Sequence, residues 1–103
     1  MNTKVLSIEL TEVTGLFKVV VSIGENCYEF TMTAETDKMG DRQIHLINGD
    51  EKFWELFKFN QHLAQGLYKL TAKAYNGEAI EVPQDIGQFY ADLPRNLVSS
   101  NVG

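Results

Sequence analysis

The sequence has one cysteine, two prolines, two histidines and no surplus of basic residues, and each scarcity closes a line of interpretation. Cys27 has no second thiol in the chain, so the fold cannot lean on an internal disulfide, and a reducing compartment is expected. Nine Lys and Arg stand against fourteen Asp and Glu, a formal charge of −5 without a long block of one sign. Phosphate backbones are held by clustered cations, so nucleic acid is not an expected partner. No apolar run approaches the roughly 20 residues of a membrane-spanning helix, and MNTKVLSIEL carries no apolar stretch after its lysine. A soluble, cytoplasmic chain that does not engage a membrane is expected.

Reactive groupings are scarce as well. His45 and His62 have no metal-ligand spacing, and the eight glycines are scattered at turns instead of gathered into a phosphate-cradling loop. Asp37, Gly40 and Asp41 lack the ligand order of a calcium-binding loop. Cys27 shares a strand face with Glu29, the wrong neighbour for a nucleophilic thiolate. No catalytic residue, metal site or cofactor is assigned, and a non-enzymatic role is expected.

What the chain does have is a hydrophobic period that changes near residue 49. Leu6, Ile8 and Leu10, then Phe17, Val19, Val21 and Ile23, then Tyr28, Phe30 and Met32 recur at every second position, the spacing of strands. From Asp50 onward Phe53, Leu56, Phe57, Leu63 and Ala64 fall on one stripe of a helix, interrupted by Asn60. With 44% hydrophobic residues in 103, one domain can bury a core without metal or disulfide.

Register follows from keeping the apolar faces together. For the first two strands, pairs whose numbers sum to 29 do so: Leu10 with Val19, Ile8 with Val21, Leu6 with Ile23. For the next hairpin, a Gly24-Glu25 turn sets Val21 opposite Tyr28 and Val19 opposite Phe30. A Glu25-Asn26 turn keeps the same parity. Lys18 then lies diagonal to Glu9 and Glu29 on the outer face, where such pairs contribute a few tenths of a kcal/mol. Glu35 to Arg42 reads as a polar connection and Gln43 to Ile47 as a short fourth strand. Asn48 or Asp50 caps a helix over about 50 to 65, with Gly66 ending it.

Residues 67 to 82 fit two patterns. A helix continued to Asn76 would span about 26 residues and 39 Å, overhanging strands of about 20 Å. The preferred reading is a hairpin turning at Tyr75-Asn76-Gly77, which pairs Ala72 with Ile80 and Leu70 with Val82. After Pro83, the spacing of Ile86, Phe89, Tyr90 and Leu93 predicts a short helix over 84 to 92. The expected fold is α+β: an antiparallel sheet of about six strands, made of a four-stranded meander and a C-terminal hairpin, packed against one main helix with a short C-terminal helix. It occupies residues 1 to 94, and 95 to 103 form a flexible tail.

The function expected of such a domain is that of a small interaction module, self-associating through a strand edge or through the flank bearing Trp54 and Phe59. Its partner is then a protein or a second copy. The alternative is a small apolar-ligand-binding domain whose pocket, between sheet and helix, is lined by Tyr28, Phe30, Phe53, Phe57 and Tyr68.

Overall fold

Alternating apolar residues from Phe17 to Ala34 build the centre of an antiparallel sheet, and the helical stripe that follows lies across it. The fold is given by a computed structural model, which describes residues 1–90. The elements are β1 (Asn2–Leu10), β2 (Leu16–Ile23), β3 (Asn26–Met39), β4 (Arg42–Gly49), α1 (Glu51–Phe57), α2 (Gln61–Tyr75) and β5 (Gln84–Gln88). The strands run in the order β4-β3-β2-β1-β5, each antiparallel to its neighbours. The class is α+β, as expected. The boundary at 94 and the tail at 95 to 103 lie outside the described residues.

The sheet buries Val5, Phe17, Val19, Val21, Phe30 and Met32, and the helices answer with Phe53, Phe57, Leu63, Ala64, Leu67 and Leu70. Phe30 meets Phe53 and Phe57 edge-on, with ring centroids 5.6 and 5.8 Å apart. Such contacts add about 0.5–1.5 kcal/mol each to the burial itself. Phe53 and Phe57 point inward as the stripe requires, and Leu56 is half-buried beside them.

The β2–β3 register is the Gly24-Glu25 alternative: Val21 pairs with Tyr28 and Val19 with Phe30. Gly24 at φ +61° takes the first turn position, a region closed to most side chains. The β1–β2 register differs from expectation. Val5 pairs with Val21 and Ile8 with Val19, and the ladder shifts between Val5 and Ser7. This bulge reverses the face of every later residue in β1. Val5 and Ile8 therefore both reach the core, whereas Leu10, opposite Phe17, is 72% exposed.

Four further expectations are corrected. The polar stretch Glu35 to Arg42 is mostly strand: β3 and β4 pair down to Met39 and Arg42, and only Gly40-Asp41 turn. Polar side chains suit this arm because both its faces are largely exposed. The single helix over 50 to 65 is two helices, broken where Asn60 is buried and its side chain pairs with the Tyr90 backbone in both directions.

The hairpin expected over 67 to 82 is instead the body of α2. The break at Asn60 removes the overhang, because 15 residues span about 22 Å. Its Asn76-Gly77 pair ends a helix: the Gly77 N–H donates to the Ala74 carbonyl and the Glu78 N–H to the Lys73 carbonyl, a Schellman motif with Gly77 at φ +78°. Gly66, expected as a cap, sits inside α2 against Ile86. Lastly, the helix expected from residue 84 is the strand β5, which joins the edge of β1 and makes five strands among the described residues, not six. An Asp85 carboxylate bonded to the Gly87 N–H and a bulge at Ile86 fit a twisted edge strand, with Ile86 turned toward α2.

Two glycines give a test of opposite sign. A β-carbon at Gly49 would lie 2.2 Å from the Phe53 ring, so Gly49→Ala is expected to lower stability by about 1–3 kcal/mol through overpacking. A β-carbon at Gly66 meets Ile86 at an ordinary 3.5 Å. Gly66→Ala is therefore expected to raise stability by about 0.5–1 kcal/mol through helix propensity. Urea unfolding midpoints at constant slope would measure both.

Candidate functional site

β3 has fourteen residues and β4 only eight, so the tight Gly40-Asp41 turn leaves the first six residues of β3 without a β4 partner. Asp50 closes that gap by one step. Its N–H donates to the Thr31 carbonyl at 3.0 Å, and its Oδ2 accepts from the Thr31 N–H at 2.9 Å and the Thr31 hydroxyl at 3.0 Å. Oδ1 accepts from the Phe53 N–H at 2.9 Å, which caps α1. One carboxylate thus finishes the sheet ladder and starts the helix.

Backbone polarity alternates along a strand. Thr31 turns its N–H and C=O toward Asp50, while the Ala34 N–H turns the other way, donating to the Gly15 carbonyl at 2.7 Å. By the same alternation Cys27 and Glu29 present their N–H and C=O to an edge that no strand covers among the described residues. Beside that edge runs an open groove of about 600 Å³. Cys27, Tyr28 and Glu29 form one side, and Glu51, Lys52, Glu55 and Leu56 of α1 form the other. Those four helix residues share a side because positions three to four apart lie over one another. The unpaired run from Asn26 to Phe30 is about 17 Å long, room for a segment of about five residues.

Electrostatically the groove is acidic, with Glu29, Glu51 and Glu55 against Lys52. Lys18 bonds Glu29 at 3.1 Å with both side chains more than half exposed, and screening leaves such a pair weak. For Asp50, burial pushes the carboxyl upward, yet the hydrogen bonds from Phe53 and Thr31 and the nearby Lys52 outweigh it and hold the group below its ordinary value of 3.8. Tyr68, half-buried with its ring 5.6 Å from that of Phe53, has its phenol pushed above the usual range by partial burial.

Of the aromatics named for a ligand pocket, Phe30, Phe53 and Phe57 are fully buried and packed on one another between sheet and helices. Tyr28 stands apart from them, in the groove. Trp54 and Phe59 are 40% and 55% exposed; Lys58 lies over the Phe59 ring at 5.3 Å, and Trp54 packs edge-on to Phe53. His45 packs edge-on to Tyr75, and His62 bonds the Gln88 carbonyl at 2.6 Å. Neither histidine lines the groove that holds Cys27. The free edge itself was missed by the sequence reading. The signal for it was there: pairing Met39 with Arg42 sets Asp50 opposite Thr31, and a helix cap at Asp50 must stop the ladder there.

Because Asp50 is more acidic folded than unfolded, its contribution is complete above pH 3.8 and is lost as pH falls through the lower folded value. Asp50→Asn, which keeps the shape but loses the charge, is expected to cost about 1–2 kcal/mol at pH 7. Its unfolding midpoint should also fall less steeply than the parent's below about pH 4. Parallel pH–denaturation surfaces of the two proteins measure this.

The chain matches no protein-family model, and neither a curated protein nor a solved structure is significantly similar to it.

Proposed function

We propose that the protein is a non-enzymatic interaction module that self-associates through the outer edge of β4. The observation that carries this reading is the composition and position of that strand. Among the described residues β4 is the last strand on its side of the sheet, and β3 uses the N–H and C=O groups of Arg42, Ile44, Leu46 and Asn48. Those of Gln43, His45 and Ile47 face outward. Edge strands of this length are ordinarily blunted by charge or proline. Here Arg42 to Gly49 holds no acidic residue, in a chain that is acidic elsewhere, and so two copies meet without like-charge repulsion.

Register supports the same partner. Ile44 and Leu46 lie on the face turned away from the helices, since their neighbour His45 meets Tyr75 on the helix side. An antiparallel two-fold centred on His45 sets Ile44 of one copy opposite Leu46 of the other, twice, and joins four apolar side chains on one surface. Shifting by one pairing step keeps one apolar pair, Leu46 with Leu46 or Ile44 with Ile44, but opposes the other apolar residue to Asn48 or Arg42, which breaks up the cluster of four.

Sedimentation equilibrium across a concentration series is expected to show a dimer. Leu46→Lys should give a monomer whose unfolding midpoint matches the parent's at concentrations too low for the parent to dimerise, because Leu46 is 44% exposed and substitutions at such surfaces stay within about 0.5 kcal/mol. A parent protein that remains monomeric throughout, or a Leu46→Lys variant that dimerises as well as the parent, would overturn the reading.

A further inference from the structure

We infer that the groove beside the free edge of β3 binds an extended, basic segment of another protein, adding it to the sheet as a strand. This surface is distinct from the β4 edge, so the two readings stand or fall separately. Three observations lead to it. The N–H and C=O groups of Cys27 and Glu29 form a ladder unused among the described residues, and Asp50 already satisfies the next rung at Thr31 in the way a strand would. An incoming segment therefore continues the line of β4 where the chain itself turns away into α1. The helix wall then gives this edge what β4 lacks, a second side against which side chains can be read.

Charge chooses the occupant. A second copy presenting the same edge would bring Glu29, Glu51 and Glu55 against their own equivalents, which like-charge repulsion opposes. A basic segment meets opposite charge instead. Strand alternation specifies how. Side chains of the added strand that point with Tyr28 face the helix wall, and those that point with Cys27 and Glu29 face the outer surface. On the helix side a Lys or Arg lays its aliphatic stem along Tyr28 and Leu56 and brings its cation to Glu51 and Glu55. Small or β-branched residues suit the positions between, where no wall constrains them.

The test is a titration of the full chain with the blocked heptapeptide Thr-Lys-Val-Arg-Thr-Lys-Val, with a control carrying Glu at each cationic position. Amide hydrogen exchange at single residues is the readout. The basic peptide is expected to slow exchange of the Cys27 and Glu29 amides by about tenfold or more, since both gain partners, with little change at Tyr28 and Phe30, already bonded to β2. The acidic control should leave all four unchanged. Glu55→Lys, on the exposed side of α1, is expected to weaken binding by about fivefold. Cys27→Pro removes an edge donor without touching the β2 ladder and should abolish the protection at Glu29.

Equal binding of the two peptides would show that charge does not select the occupant. Protection at Gln43, His45 and Ile47 instead would place strand addition on β4. The absence of any change at saturating peptide, or an affinity unmoved by Glu55→Lys, would likewise overturn the inference.

Discussion

The Asp50 carboxylate is the constraint on which the arrangement of sheet and helix depends. It bonds Thr31 in β3 and Phe53 in α1 through different oxygens, so the point where β4 stops pairing is also the point where α1 begins. Hydrogen bonds to a charged group are worth roughly twice neutral ones, and here two backbone donors and a hydroxyl converge on one side chain. The direction of α1 follows from that anchor. Phe53, three residues on, is carried onto Phe30, and Phe57 one turn later completes the same cluster. Gly49, just before Asp50, has no side chain because the Phe53 ring occupies the place where one would be.

The same anchor explains why the molecule has an uncovered edge. Had the chain continued as a strand past Gly49, residues 50 to 55 would have paired with 26 to 31, and the sheet would have closed against β3. Asp50 instead satisfies Thr31 and diverts the backbone upward, so Glu29 and Cys27 are left facing α1 across a gap. Core burial and the free edge are two results of one turn. The aromatic cluster needs α1 over Phe30, and placing it there withdraws the chain from the edge below.

How much of this was legible in the sequence can be traced to particular signals. The period-two run from Phe17 to Met32 located β2 and β3, and parity with a glycine at the first turn position restricted their register to two choices. The inward face of α1 was equally readable from Phe53 and Phe57. In β1 the parity of Ile8 and Leu10 held, but their partners, Val19 and Phe17, lie two residues closer to the turn than expected. Parity failed only beyond the bulge near Leu6, which adds one residue without changing composition and which nothing in Leu6, Ser7 and Ile8 announces. Asn76-Gly77 misled because a left-handed glycine serves a hairpin turn and a helix C-terminus alike. Local sequence does not separate the two. The deciding contact is remote: Leu67, Leu70 and Thr71 are buried on a helical stripe over the sheet. Strand β5 was lost for the same reason, since Ile86 and Phe89 are consistent with a helix until the open edge of β1 is known to need a partner.

β4 and the start of β3 are two of the sheet's uncovered edges among the described residues, and the charge around them differs. Backbone geometry is common to both, as each offers alternate N–H and C=O groups at strand spacing, so hydrogen bonding alone cannot discriminate. Discrimination must come from the side chains around each edge. β4 is flanked by Ile44 and Leu46 and lacks any carboxylate within the strand, which favours an apolar, uncharged counterpart. The uncovered stretch of β3 is short, walled on one side and rimmed by glutamates, which favours a cationic one and disfavours a copy of itself. Misregistered pairing of β4 from one molecule onto β3 of another would lead to open-ended chains instead of closed dimers. The helix wall limits this: β4 would have to bring its own neighbour β3 and the whole sheet into a groove wide enough for one strand. A single extended segment fits where a sheet edge does not, so the wall beside β3 also limits indiscriminate strand pairing at the acidic surface around it.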